Sequence, residues 1–440
     1  MAPEHDDQLN RRREKREAMR RKQQAEQRRL KIALIVAAVV LVICGVGIFL
    51  IAKNAGNTPA QQAQTQATEA TTKPTEAKQE SPLQQNTVTT IHIKAAGDLN
   101  ITDSVVDAGL VATGYDYTRA FMDVAAILAD ADMTVMNLEG NIYGEPYGTE
   151  RASAPVELLR GLRNAGVDML QMANSYSINN GIIGLTNTLS AIRGAGIAPL
   201  GAYSSSAEFE ESGGYTICDI QGIKVAFVAF TKGVGGMGMP TGNEDCVNLL
   251  YKDYATTYEE IDRDGIRKIL RAAEAEKPDV TIAMLHWGSE NNDAISNTQE
   301  SIVSLMQKEG VDIILGTHPH LVQKIDYNLA AKTLVAYSLG DFFGDGSRGG
   351  TNYSIILDIE ITKDSAAGTT RITDYSYTPI YTLAESQCDG YRRVVRIEQA
   401  MLAHENNYVD SITAACYEDM KYSLTRIEER IHPKEETETK

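Results

Sequence analysis

Positive charge is scarce in this chain and unevenly placed. Lys and Arg total 42 against 59 Asp and Glu, a net charge of −17, and 11 of the basic residues crowd into the first 31 positions beside only 6 acidic ones. From residue 32 onward 31 basic residues face 53 acidic ones, a balance near −22. Such a surface disfavours nucleic acid, lipid headgroups and other polyanions unless cations intervene. Cysteine is sparse as well. Cys44 lies in an apolar run, and the spacing of Cys218, Cys246, Cys388 and Cys416 matches no zinc site. Four cysteines in an oxidising compartment permit disulfides, while buried unpaired thiols are an equal alternative in so large a domain. No internal repeat is apparent. Large apolar side chains are nearly missing from residues 53–87, rich in Gln, Thr, Ala and Pro, so this stretch cannot bury enough surface to fold and reads as a disordered linker.

One run lacks charge altogether: "IALIVAAVVLVICGVGIFLIA", residues 32–52. Twenty-one such residues are long enough to cross a bilayer as a helix. The basic residues before it hold that end in the cytoplasm, and no small-x-small cleavage site follows a shorter apolar core, so the run reads as an uncleaved anchor. Anchoring is the stronger role for the basic tail; nucleic-acid binding is the weaker one. The expected organisation is a cytoplasmic tail over 1–31, one transmembrane helix over 32–52, the linker over 53–87, an extracellular domain over 88–390 and a helical extension over 391–440.

From Val88 on, short β-branched runs alternate with helical patterns, which predicts an α/β sheet fold. "VTTIHIKAAG", "MTVMNLEG" and "VDMLQMAN" read as strands separated by helices in "YTRAFMDVAAILADAD" and "PVELLRGLRNAG", with a further helix in "GIIGLTNTLSAIRGAG". "GYTICDIQGIKVAFVAF" reads as a hairpin turning at Gln221–Gly222. "KPDVTIAMLHWG" and "GVDIILGTHPH" read as buried strands flanking the helix "SIVSLMQKEG"; "KTLVAYSLGDFF", "YSIILDIEIT" and "TRITDYSYTPIY" suggest a later antiparallel part.

Histidine is rare too, seven in all, yet "LGTHPHLVQ" places His318 and His320 two positions apart on irregular backbone after an apolar run. Such a pair can aim both imidazoles at one point, and neutral imidazole is a common ligand for transition metals. Other coordinating residues also fall at the carboxyl ends of predicted strands, where open α/β sheets place their sites. Asp98 ends the first, Asn137 and Glu139 the second, Asn174 the third, and His286 follows "IAML". Each has a plainer role open to it: Asp98 and Asn174 as helix caps, Asn137 in a turn, His286 as a core histidine. Taken together, carboxylates, amides and imidazoles form a mixed oxygen and nitrogen shell that suits manganese, iron or zinc better than calcium.

The ordered set "GD…NLEG…AN…HWGSE…GTHPHLVQ…YSLGDF" resembles the CapA family of poly-γ-glutamate capsule synthesis proteins over about residues 90–345. That family's fold is similar to calcineurin-like metallophosphoesterases. The resemblance implies a four-layer α/β/β/α sandwich behind the membrane anchor, with Asp98, Glu139, Asn174, His286, His318 and His320 as the metal ligands. It also marks departures. Where the family reads "ANNHxxDxG" this chain has "ANSYSINNG", so Ser175, Tyr176 and Asn179 replace Asn, His and Asp, and Tyr176 occupies the position of the general acid. Asp103 stands where a basic residue is usual, and Asp341 where Asn is usual. Most of the metal cage is kept and part of the catalytic apparatus is changed.

Three functions follow as expectations. The first is action on a capsule polymer such as poly-γ-glutamate, in synthesis, export or anchoring, with membrane partners of a capsule complex and no nucleic acid. The second is metal-dependent, phosphoesterase-like hydrolysis of cell-envelope material. The third is a non-catalytic, metal-stabilised binding module.

Overall fold

The computed structural model describes residues 88–408 and 412–433. The tail, the anchor and the linker lie outside these residues. Among the described residues no helix is long and apolar enough to cross a membrane. The elements below belong to one compact unit that takes in residues 88–110 and everything described from Tyr115 on.

The chain lays down β1 (Val88–Asn100), β2 (Met133–Glu139), β3 (Met169–Gln171) and β4 (Ala198–Leu200) as parallel neighbours. Between them run α1 (Asp103–Ala108), α2 (Thr118–Ala129), α3 (Glu157–Asn164) and α4 (Gly181–Gly194). After α5 (Ser206–Ser212), a hairpin of β5 (Tyr215–Ile220) and β6 (Ile223–Thr231) opens a second sheet. Its turn is the predicted one: Gln221 and Gly222 both have positive φ, 52° and 85°, as a two-residue hairpin loop requires. The helices α6 (Arg263–Ala275) and α7 (Asn297–Lys308) alternate with the parallel strands β7 (Val280–His286) and β8 (Ile313–Thr317). β9 (Ile325–Asn328) and β10 (Thr333–Ala336) complete the six-stranded second sheet in the order β9-β10-β8-β7-β6-β5. The chain then returns to the first sheet. β11 (Asp341–Phe343) lies parallel to β1, and β12 (Tyr353–Asp364), β13 (Thr369–Leu383) and β14 (Arg393–Arg396) add an antiparallel run beyond it. Two helices, α8 (Ile397–Glu405) and α9 (Ala414–Ile431), follow. The result is a mixed α/β fold.

Alternation along β6 shows where the cores sit. Val225, Phe227 and Ala229 join the large cluster that also holds Ala95, Val135 and Leu170 of the first sheet. Their neighbours Ala226, Val228 and Phe230 join a second cluster with Ile266, Ile269 and Leu270 of α6 and Ile302 and Met306 of α7. Both faces of β6 are therefore buried, which is why it reads as a continuous apolar run. The helix α6 matches this face because its apolar residues recur at helical spacing, and Asp262 caps it by accepting the Gly265 N–H. Burying each such large side chain contributes roughly 1.5–3 kcal/mol.

Two strand readings are refined here. "KTLVAYSLGDFF" is divided between the sheets: it forms β10, antiparallel to β9 and parallel to β8 in the second sheet, and β11, parallel to β1 in the first, joined by a crossing at Ser338–Gly340. The crossing is tight: Gly340 O accepts the Asp98 N–H at 2.9 Å, and a Cβ on Gly97 would lie 1.8 Å from that oxygen. "VDMLQMAN" yields only the three residues of β3, paired with the equally short β4, which its proline disguised in the sequence. Beyond residue 390, β14 adds an edge strand to the first sheet. Cys218, Cys246 and Cys416 are free thiols, and Cys388 Sγ accepts a hydrogen bond from Arg393.

Candidate metal centre

The carboxyl ends of the parallel strands in both sheets meet at one place. Asp98 lies near the end of β1, Glu139 ends β2, Asn174 follows β3, His286 ends β7, and His318 and His320 follow β8. Asp341 opens β11 directly beside Asp98, its parallel partner in register. All but His320, which is nearly covered, are buried.

Their contacts sort them by role. His320 Nδ1 lies 2.8 Å from Asp341 Oδ1 and 3.6 Å from Asp98 Oδ2, while its Nε2 is 3.8 Å from Glu139 Oε2. His286 Nε2 is 3.1 Å from both Glu139 Oε1 and Ser175 Oγ. The rings of His286 and His318 are 4.5 Å apart. Three sets bring one donor atom from each member within 4.8 Å of the others: Glu139 with His286 and His318, Glu290 with His318 and His320, and Asp98 with His320 and Asp341.

The amides brace this set. Asn137 Nδ2 donates to Asp98 Oδ1 at 2.6 Å, and Asn174 Nδ2 donates to Asn137 Oδ1 and to the Leu138 carbonyl. Asn174 Oδ1 accepts the Tyr176 N–H at 2.9 Å, a local turn that leaves one lone pair for another partner. Asp98 caps no helix: Thr102 caps α1, and Asp98 Oδ2 accepts the His318 N–H at 2.9 Å. The helix-cap role open to Asp98 is thus set aside, and Asn174 keeps part of its own. His286 is partnered at both ring nitrogens, Nδ1 by Thr317 Oγ1 at 3.4 Å and Nε2 by Ser175 Oγ, as a core histidine would be.

The electrostatics ask for a cation. Burial pushes the Asp98 carboxyl up to about 6, with Asp341 adding to the rise against His320, Asn137 and the His318 N–H. Glu139 is driven well above the usual carboxylate range by burial, then by Asp98 and Asp341. Burial pushes His318 down to about 3, with Lys232 and His320 helping, and holds His286 well below its ordinary value. Burial opposes charge on His320 too, but Asp341, Glu139 and Asp98 outweigh it and push that imidazole up to about 11. Both carboxylate oxygens of Glu139 and Nδ1 of His318 are buried with no hydrogen-bond partner. Buried lone pairs without donors are costly and rare in native proteins. A divalent cation held by Glu139, His286 and His318 would give buried lone pairs a partner and take over the role of the protons, so the residues present fit a metal. The backbone supports the same reading, since His318 and His320 are held at positive φ, 93° and 61°. Such strain costs on the order of 1–3 kcal/mol per residue and gathers at functional sites.

A profile of the family described as "Bacterial capsule synthesis protein PGA_cap" matches residues 92–345. The chain belongs to that family. Its curated relatives include the capsule biosynthesis protein CapA of Bacillus anthracis, 24% identical over 263 residues that make up 58% of this chain and 60% of that one. The PGA biosynthesis protein CapA of Bacillus subtilis (strain 168) is 26% identical over 269 residues, 59% of this chain and 64% of that one. The chain thus spans about three-fifths of the length of these relatives. Among solved structures, the calcineurin-like phosphoesterase YfkN from Bacillus subtilis is 15% identical and covers 67% of this chain and 91% of its own, with a TM-score of 0.37.

Within this PGA_cap chain, two open clefts flank Tyr176, one of about 210 Å³ and one of about 570 Å³. Tyr176 lines both, and so does Glu290; burial raises the phenol pKa, with Glu139 and Glu290 adding to the rise. Ser175 touches His286, while Asn179 donates to the Arg151 carbonyl at the rim. Asp103 is drawn away to the Thr149 loop. Asp341, Glu290 and Lys232 were missed as site residues. Asp341 begins a strand instead of ending one, and Glu290 sits on a loop four residues past β7. Lys232 directly follows β6, so the strand-end rule that found His286 reaches it as well.

Proposed function

We propose that this protein acts outside the cell, held by the 32–52 anchor, in the synthesis, export or anchoring of a capsule polymer, poly-γ-glutamate being the first candidate. The family supports the capsule role. In this reading the two sheets form the inner layers of an α/β/β/α sandwich of metallophosphoesterase type, and the strand-end cluster holds a divalent transition metal, manganese, iron or zinc. The single observation that carries it is the clustering of Glu139, His286 and His318, with Glu139 Oε1, Glu139 Oε2 and His318 Nδ1 buried and without a hydrogen bond.

Asp98, Glu139, His286, His318, His320 and Asp341 would hold the metal, with Asn174 in reach. When bound, it supplies Lewis acidity toward a carbonyl or phosphoryl oxygen. The chain's own groups do the rest. Asn137 and Asn174 lock Asp98 and the β3 turn in place, so the donors need little reorganisation. The neutral state of His318 keeps its lone pair free for coordination. Tyr176 stands at the mouth with its phenol protonated, ready to donate a hydrogen bond and poor at giving up its proton. The clefts beside the cluster favour a second reading, hydrolysis of phosphorylated or amide-linked envelope material.

The test is complementation. In cells lacking the gene, the natural chain should restore surface polymer, and a His318→Ala, His320→Ala variant present at equal level should not. Full polymer with the double variant would overturn the proposal.

A further inference from the structure

The two clefts adjoin: they share Tyr176 and Glu290, with His320 lining one and His318 the other. Each carries a cation. Lys232 lines the larger cleft with Tyr258 and Met237, its Nζ 4.7 Å from the Tyr258 ring centroid. Its one side-chain hydrogen bond among the described residues goes to a neutral carbonyl, Gly288 O at 2.7 Å, and it forms no salt bridge there. Two of its three N–H donors therefore remain for another partner. Arg348 lines the smaller cleft with Ser347 and Thr351 and is exposed; its guanidinium has no ion pair among the described residues.

Lys224, Lys252, Arg267 and Arg393 pair with carboxylates. Lys232 and Arg348 form no salt bridge among the described residues and line the two clefts that flank Tyr176, an arrangement that suits a linear anion. Four carboxylates also line these clefts. Glu139, Asp341 and Glu290 belong to the donor sets of the cluster, where a bound cation would offset them, and Asp345 accepts the Ser347 N–H. Burial opposes the charge on Lys232, and the charge of Glu290 acts on it in the other direction. A half-buried ammonium held over an aromatic ring is partly desolvated, which strengthens its attraction for an incoming carboxylate.

Resting on the polymer reading above, we propose that the two clefts act as one groove that binds an extended, carboxylate-bearing polymer across the cluster, with Lys232 and Arg348 each taking a carboxylate on either side. These are binding and positioning residues. They also supply the cations that an acidic domain needs to accept a polyanion.

The test is calorimetric titration of the purified full chain, in detergent, with a γ-linked glutamate decamer, metal content being measured in parallel. Lys232→Met and Arg348→Met should each weaken binding roughly tenfold or more, as for loss of a charge-assisted contact. The double variant should bind no better than background, Lys232→Arg should retain most of the affinity, and the salt dependence should flatten with each charge removed. Metal content should be unchanged throughout. Decamer affinity equal to that of the natural chain in both single variants would overturn the groove assignment and leave the capsule reading standing. A metal-loaded natural chain that binds no decamer would sink both. Loss of glycerol phosphate polymer binding in the variants, with decamer binding intact, would overturn the carboxylate assignment.

Discussion

By its resemblance to the family motif, Tyr176 holds the position where an imidazole would give a proton to a leaving group. A phenol whose ordinary pKa is near 10, raised further here by burial, is a poor acid at neutral pH beside an imidazolium near 6.5. Tyr176→His should therefore raise hydrolysis of alkyl phosphates, toward the roughly 10²–10⁴-fold that general acids contribute, with a smaller gain on activated aryl phosphates. Steady-state assays of both substrates check this; brisk alkyl phosphate turnover by the natural protein, unchanged in Tyr176→Phe, would place the acid elsewhere. Away from the centre, Asp312 titrates with the opposite sign from most carboxylates. Burial, with Glu274 adding, raises it to about 6 against the pull of the Thr281 N–H. The folded state thus binds more protons than the unfolded one between about pH 4 and 6, so stability from this group is present below that window and lost as pH rises through it. Asp312→Asn keeps the acceptor for Thr281 and removes the charge. Its stability relative to the natural protein should grow from pH 4 to pH 7, measured by denaturant unfolding, and a gap that does not vary with pH would refute the assignment. The strand-end rule made Asp98, Glu139, His286, His318 and His320 legible in the sequence because a buried strand can carry coordinating groups only where it leaves the core. Asp341 escaped it because its partnership with Asp98 is a contact between distant segments, which no local pattern encodes.

At the scale of elements, the site depends on how closely β1 and the Ser338–Gly340 crossing approach. An alanine at 97 would put its Cβ 1.8 Å from Gly340 O, so β1 and β11 would have to separate, and with them Asp98 and Asp341. Gly97→Ala should cost on the order of 2–4 kcal/mol and lower metal retention. Gly349→Ala, with open space around the added methyl group, should do neither. Thermal unfolding together with metal content decides; a Gly97→Ala protein as stable and as metal-rich as the natural one would contradict the packing argument. The helices and long strands were legible because their periodicity is strong, as at Ile266, Ile269, Leu270 and Ala273 of α6. The switch between sheets after β10 was not, because apolar runs on both sides of Ser338–Gly340 look like one strand until the partners are known. Short strands such as β4 carry too few residues to show a period at all.

For the whole molecule, the charge asymmetry of the chain and the cluster at the strand ends make separate claims. The first is topological. Protease added to intact cells should cut within residues 53–87 and release the acidic domain while the basic tail stays protected; digestion of the tail in sealed cells, or release of nothing, would contradict the anchored arrangement. The second is the centre itself, on which the capsule reading and the groove both rest. Its most direct test is elemental analysis of the purified domain from Val88 onward, offered manganese, iron and zinc and then freed of loose metal, beside its His318→Ala, His320→Ala counterpart with circular dichroism as the check on folding. The account predicts at least one bound transition metal per natural chain and a large loss in the folded double variant, since affinity follows ligand number and geometry. A natural domain that holds no metal, or a double variant that keeps full occupancy, would contradict it.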